Sequence, residues 1–240
     1  MALSKYDPIA DWYDETVRSS SIVDDLLLPP FLSALGNIEG QVVCDLACGQ
    51  GRIARLMAKK GAIVIGIDIS KNLLAIAQKE ETDDPLGIIY NEDDAQKLTT
   101  IADVAVDQVI CYLALMDIPD LVATFQAVWR ILKPGRPFTC ALTHPCFQTP
   151  HATTVIKPGN TLVREIQAYF DETYWLSSNP DGVRGKIGAY HRTLSTYLNT
   201  FILQGFQINQ VLEPKPNVTL SERRPEYALV PPFIIIQVIK

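Results

Sequence analysis

Apolar and polar positions follow two alternating rhythms along this chain. "VVCDL", "AIVIGIDI", "LGIIY", "VDQVICYL" and "RPFTCALTH" are short apolar runs, fit for strands buried on both faces. Between them, "GRIARLMAKKG", "SKNLLAIAQKE" and "IPDLVATFQAVWRIL" carry apolar residues at helical spacing. Gly61 stops the first of these helices, Ser70 caps the second, and the third ends before the turn "KPG". Strand and helix in alternation predict a doubly wound, mostly parallel sheet with helices on both faces.

The flanks depart from this rhythm. Asp7, Pro8 and the spacing of Ile9, Trp12, Tyr13 and Val17 predict a short helix with proline in its first turn. "SIVDDLLLPPFLSAL" predicts a second, broken at Pro29-Pro30 and closed by Gly36. Together they make an N-terminal helical appendage over residues 1–40 of a single domain, 1–240. From residue 145 to 190 the helical period lapses and aromatics accumulate (Phe147, Tyr169, Phe170, Tyr174, Trp175), which predicts a cap of short strands and loops. Beyond it "HRTLSTYLNTFILQG" reads as a helix begun by His191 and "FQINQVL" as a strand. "EPKPNVTLSERRPEYALVP" reads as a long link and "PFIIIQVIK" as a final strand.

Composition narrows the partners. In 240 residues, 48% are apolar and 20% charged, which supports a substantial core. A formal net charge of −6 argues against nucleic acid, because neutralising phosphates needs a basic face. Five cysteines without a C-x-x-C pair read as core or pocket thiols in a reducing compartment, and no metal is expected. The first twenty residues carry acids throughout, and no run reaches the roughly 18 apolar residues of a membrane span. The expectation is a soluble, cytoplasmic protein with a small-molecule substrate.

"VVCDLACGQGRIA" holds the candidate chemistry. Gly49, Gly51 and Ala54 have the G-x-G-x-x-[G/A] spacing of a nucleotide-binding turn, a pattern that packing alone also produces. Two further acids stand at strand ends: Asp68, placed to accept both hydroxyls of a ribose, and Asp94, followed by Ala95, placed to meet the amino edge of an adenine. Each alone also fits a cap or a turn. Asp45, four residues before Gly49, would be a poor neighbour for a pyrophosphate and a good one for a cation. S-adenosylmethionine has an adenosine, a sulfonium and an ammonium, and no phosphate. Asp68, facing the pocket, is expected to support no core, so its loss should change the stability of the empty protein little.

These residues carry a family resemblance. "VVCDLACGQGRIARLMAKKGAIVIGIDIS" resembles the first two motifs of class I S-adenosylmethionine-dependent methyltransferases, small-molecule branch. "NEDDAQKL", "VDQVICYLALMDIPD" and "VWRILKPGRPFTCAL" resemble the segments that follow. The resemblance implies a seven-stranded sheet with "PFIIIQVIK" antiparallel between the fifth strand and "FQINQVL". It implies that Ala47, Gly49 and Gly51 line the methionine part of the cofactor while Asp45 supports the turn. Asp68 would take the ribose, Ile69 the adenine face, and Asp94 and Ala95 its amino edge. Cys111 would lend backbone contacts near the sulfonium, and Tyr13 resembles the tyrosine of "Y-D-x-I-A-x-x-Y-D" segments that close over the cofactor. "LMDIP" departs from the pattern, since many relatives carry histidine near Met116 and Asp117.

The implied activity is methyl transfer from S-adenosylmethionine to O or N of a small, partly apolar molecule, leaving S-adenosylhomocysteine. RNA or protein methylation, or nucleotide binding without catalysis, are the alternatives. Displacement from a sulfonium needs mainly alignment, but a hydroxyl or ammonium acceptor must also lose a proton, for which histidine is the usual agent. His144, ending the fifth strand, and His191, after the cap, are the candidate bases; His151 lies inside the cap. Met116, Trp175 and Tyr190 are candidate substrate contacts.

Overall fold

The computed structural model describes residues 4–18 and 21–240, without the side chains of 21 and 22; residues 1–3 and 19–20 of the appendage lie outside the described residues. A 3-10 turn, Asp7–Ile9, leads into α1 (Ala10–Arg18), followed by α2 (Ser21–Leu26) and α3 (Leu28–Leu35). The expected break at Pro29-Pro30 falls instead at Leu27. Both prolines sit in the first turn of α3, where no amide hydrogen is required.

The alternating region then runs β1 (Val42–Leu46), α4 (Arg52–Lys59), β2 (Ile63–Asp68), α5 (Lys71–Asp83), β3 (Ile89–Glu92) and β4 (Gln108–Tyr112). It continues through a 3-10 turn, Leu115–Asp117, to α6 (Leu121–Ile131) and β5 (Pro137–Thr143). Ser70 and Asp120 cap α5 and α6, accepting from the amides of Leu73 and Ala123. The segment after β5 holds two hairpins and a short helix: β6 (Thr153–Lys157) with β7 (Thr161–Glu165), β8 (Tyr174–Trp175), α7 (Val183–Ile187), and β9 (Ala189–Tyr190), which pairs with β8. Next come α8 (Leu194–Gln204) and β10 (Gln207–Leu212). The expected link folds into α9 (Val218–Arg223) and α10 (Glu226–Leu229) before β11 (Phe233–Ile239). Asn217 starts α9 by accepting from the Leu220 amide, a cap hidden in the sequence by the flanking prolines. His191 does not begin α8; Thr193 is its cap.

The main sheet has the order β10-β11-β5-β4-β1-β2-β3, with β11 antiparallel to both neighbours, as the resemblance implied. Period-two alternation divides the core. Cys44, Leu46, Val109, Cys111, Phe138, Cys140, Ile234 and Ile236 face α6 and α8. Val43, Ile110, Ala141, Phe233 and Ile235 face α3 and α4. On the first side Phe125 stacks on Phe201 at 3.9 Å, and both meet Phe138 edge-on. Burial of each such ring contributes about 1.5–3 kcal/mol. β1 lies between β2 and β4, so the chain direction of winding reverses beside it. A crevice outside the strand ends is the ligand position of such sheets.

Candidate active site

At that switch point β1 turns into α4 through Ala47, Gly49 and Gly51, with φ of 57°, 57° and 83°. A Cβ on Gly49 would meet only Leu73 Cδ1, at 3.8 Å, so its main chain is bare towards the crevice. Gly51 differs: a Cβ there would lie 2.3 Å from the Tyr90 hydroxyl and 3.0 Å from Ala77 Cβ. Gly51 lets the turn pack on α5 and β3 and does not line the crevice, which corrects its expected ligand contact. Ala47 holds the left-handed conformation that costs a non-glycine residue about 1–2 kcal/mol.

Asp68 ties the turn together. Its Oδ2 accepts the Gly49 amide at 2.8 Å and its Oδ1 the Ser70 amide at 2.7 Å. Burial raises its pKa to about 6, against the pull of those amides. The expectation that losing Asp68 changes the stability of the empty protein little does not fit these bonds: Asp68 orders both the turn and the start of α5. Asp45 is buried, and its Oδ2 has no hydrogen-bond partner. Burial and the nearby Asp68 raise its pKa to about 8, opposed by the Ala54 amide and Arg52. An unmet carboxylate oxygen beneath a ligand crevice has its partner supplied from outside or carries a proton.

The crevice is a cavity of about 190 Å³. Tyr13, Ala47, Gly49, Asp68, Ile69, Asp94 and Ala95 line it, seven of the residues singled out from the sequence. Cys111 does not: fully buried in β4, it lies below the rim, where Tyr112, Leu113 and Ala114 take its place. The lining holds Asp68, Asp93, Asp94 and Asp117 against a single lysine, Lys5. Asp93 is structural, accepting the amides of Asp94 and Thr100. On the far side of the turn a lobe of about 220 Å³ shares Tyr6, Tyr13, Ala47 and Gly49 with the crevice and is roofed by Val17, Val23 and Asp24.

Three residues escaped the sequence reading. The Tyr6 hydroxyl donates to Asp117 Oδ2 at 2.9 Å, and Arg184 of α7 pairs with Asp117 Oδ1. Burial raises the Asp117 pKa, and Arg184 holds it down. Tyr13, edge-on to Tyr6 at 4.8 Å, is pushed up to about 12 by burial and by Asp117. The signal for Tyr6 was present: it is the first tyrosine of the "Y-D-x-I-A-x-x-Y-D" pattern. Asp117 and Arg184 come together only in the fold, 67 residues apart.

A second cavity, about 550 Å³, adjoins the first through Ala189 and Tyr190. Met116, Trp175, Tyr190, His151 and His191 all line it. His191 Nε2 lies 2.8 Å from the Tyr169 carbonyl oxygen, which can only accept, so Nε2 carries a hydrogen and the neutral ring has its lone pair on Nδ1. His144 is spent. Its Nδ1 accepts the Cys146 amide and its Nε2 bonds Glu213 Oε1 at 2.9 Å, while burial lowers its pKa. It lines neither cavity and has no lone pair left for a proton, which corrects its candidacy as a base.

Comparison with known proteins agrees with this geometry. Residues 44–139 match a family model described as a methyltransferase domain. A ubiquinone biosynthesis O-methyltransferase of Alkalilimnicola ehrlichii is 30% identical over 136 residues, 55% of each chain, so this chain spans about half the length of the curated relatives it matches. Among solved structures, an S-adenosylmethionine-dependent methyltransferase from Mesorhizobium loti superposes with a TM-score of 0.77 at 29% identity, covering 88% of this chain and 96% of that one. A second, described as putative, from Listeria monocytogenes gives 0.76 at 27%, covering 92% and 98%.

Proposed function

We infer that this chain is a class I S-adenosylmethionine-dependent methyltransferase that transfers a methyl group to oxygen or nitrogen of a small molecule. The observation that carries the reading is the crevice at the switch point, where Asp68 and Asp94 stand at the ends of successive strands beside the bare main chain of Gly49 and no arginine lines the wall. That chemistry suits a cationic nucleoside without phosphates. Asp68 would take the ribose hydroxyls on lone pairs that Gly49 and Ser70 leave free. Ile69, Asp94 and Ala95 would border the adenine, and Ala47, Gly49 and Tyr13 would enclose the methionine part. When bound, the cofactor supplies a methyl group on positively charged sulfur, already activated for displacement.

The chain's own residues have three tasks: to seat the acceptor, to exclude water and to take a proton. The second cavity is the acceptor's place in this reading. Met116 and Trp175 line it, Tyr190 borders both cavities, and His191, also in its lining, would take the proton. The names of the curated relatives, O-methyltransferases, favour a hydroxyl acceptor. The cap, residues 145–190, would then close over the acceptor within one domain. Five free thiols support a cytoplasmic setting.

Incubation with methyl-labelled S-adenosylmethionine and a cell extract tests this: label should enter the small-molecule fraction. Label confined to RNA or protein would sink the substrate class. With the labelled acceptor in hand, His191→Ala should lower turnover roughly 10²–10⁴-fold with unchanged cofactor affinity, whereas His144→Ala should alter stability more than turnover. Full activity of His191→Ala from pH 6 to 8 would leave transfer to positioning alone.

A further inference from the structure

The second cavity has a charge that methyl transfer does not call for. Its lining contains three arginines, Arg164, Arg184 and Arg192, two histidines, and no aspartate or glutamate. The chain as a whole carries a formal charge of −6. Arg184 is neutralised by Asp117. The other two arginines are not neutralised in this way.

Arg192 is 8% exposed. It donates to three backbone carbonyls, Leu115 at 3.3 Å, Ile118 at 2.7 Å and Pro119 at 2.6 Å, and its guanidinium sits 5.1 Å from the Tyr190 ring centre. Arg164 donates to the Phe147 carbonyl, Gln148 Oε1 and Thr154 Oγ1. Among the described residues neither makes an ion pair; Glu226 reaches Arg164 only through space, its carboxylate being bonded to Arg224. Carbonyls satisfy donors but leave the charge uncompensated. A guanidinium removed from water in this way is costly unless a counter-charge arrives. With the Tyr197 hydroxyl as a fourth acceptor, Arg192 keeps one of its five N–H donors, and Arg164 with four bonds of its own also keeps one, so each guanidinium has a single donor for an incoming ligand.

We propose that this cavity binds an oxyanion, the carboxylate or phosphate group of the methyl acceptor, on Arg192 and Arg164. One charged N–H from each guanidinium, together with the two uncompensated positive charges, suits either group. The remainder of the acceptor runs past Tyr190 towards the crevice, within reach of His191. The word "acceptor" rests on the methyltransferase reading; the oxyanion site itself does not.

Calorimetry on the full chain tests the proposal, with and without S-adenosylhomocysteine and at ionic strength matched with sodium chloride. The probes are inorganic phosphate, 4-hydroxybenzoate and the neutral 4-hydroxybenzamide. One of the two anions should bind saturably and at least about tenfold tighter than the amide, and which one it is identifies the group. Two variants locate the site. Arg164→Gln removes one guanidinium, and Ser178→Glu adds an acid at an exposed lining position without disturbing Arg192. Each should weaken the anion about tenfold while S-adenosylhomocysteine binds as before. Neither anion exceeding the amide, or undiminished anion binding in both variants, overturns the site. Anion binding by a chain that ignores S-adenosylhomocysteine would instead overturn the methyltransferase reading and leave the oxyanion site standing.

Discussion

Asp45 and Asp68 stand one turn apart and answer different questions. Asp45 has a pKa raised to about 8 in the folded chain, so the folded state binds a proton that the unfolded state has released. Its contribution to stability is complete below the ordinary carboxylate range and is lost as pH rises through 8. Asp68, raised to about 6, has the same sign over a lower window. Between pH 6 and 8 Asp45 therefore dominates the pair. Asp45→Asn, measured without ligand, should gain on the wild type in melting temperature as pH goes from 6 to 8, by about 2–4 °C for each kcal/mol. A constant difference across that range would mean that Asp45 is ionised throughout. Asp68→Ala should cost both functions at once. Two amides lose a charged acceptor, lowering the stability of the empty protein by roughly 1–3 kcal/mol, and cofactor affinity should fall by a similar amount. An unchanged melting curve in that variant would contradict the bonds to Gly49 and Ser70. The sequence placed both carboxylates at the right strand ends, because strand ends are legible from hydrophobic runs. It could not show that Asp68 faces two amides, since the partners are set by how the turn folds back. The same limit separated Gly49 from Gly51: identical in motif, one faces the crevice and the other faces the Tyr90 hydroxyl.

At the scale of elements, the N-terminal segment behaves as a strap across the crevice. Asp7 Oδ1 accepts from Ser70 Oγ at 2.6 Å and the Asn72 amide at 3.2 Å, and Arg18 pairs with Glu80 at 2.8 Å, which fixes the segment to α5. Lys5 lies 3.6 Å above the Tyr174 ring and Tyr6 bonds Asp117, which joins it to the cap side. The residues proposed to hold the cofactor thus sit beneath a segment held from both sides by polar contacts. Asp7→Ala should speed cofactor dissociation about tenfold, the equivalent of one or two lost hydrogen bonds, with little change in association. Stopped-flow release of S-adenosylhomocysteine measures it, and an unchanged release rate would show that the strap does not gate the site. Helices and strands with strong periodicity were legible throughout the alternating region. The errors lie where prolines mislead: those at 29 and 30 start α3 instead of breaking it, and the link after β10 contains two helices shorter than two turns. His144 illustrates a different blindness. Its position at the end of β5 suggested chemistry, yet Glu213, 69 residues away, and its own turn occupy both nitrogens.

At the scale of the whole molecule, the seven-stranded sheet carries the acidic crevice at its reversal point, with a basic cavity beside it lined largely by residues 145–192. No helix among the described residues is long and apolar enough to cross a membrane. In the proposed function the crevice would take the cationic cofactor and the basic cavity a counter-charged acceptor. Everything in this account depends on which nucleoside occupies the crevice. Native mass spectrometry of the purified chain, with added S-adenosylhomocysteine and NAD in equal amounts, reads that occupant directly. The account predicts a complex with S-adenosylhomocysteine, or with S-adenosylmethionine retained from the cell, and its loss in Asp68→Ala. A complex with NAD in preference to S-adenosylhomocysteine would contradict it.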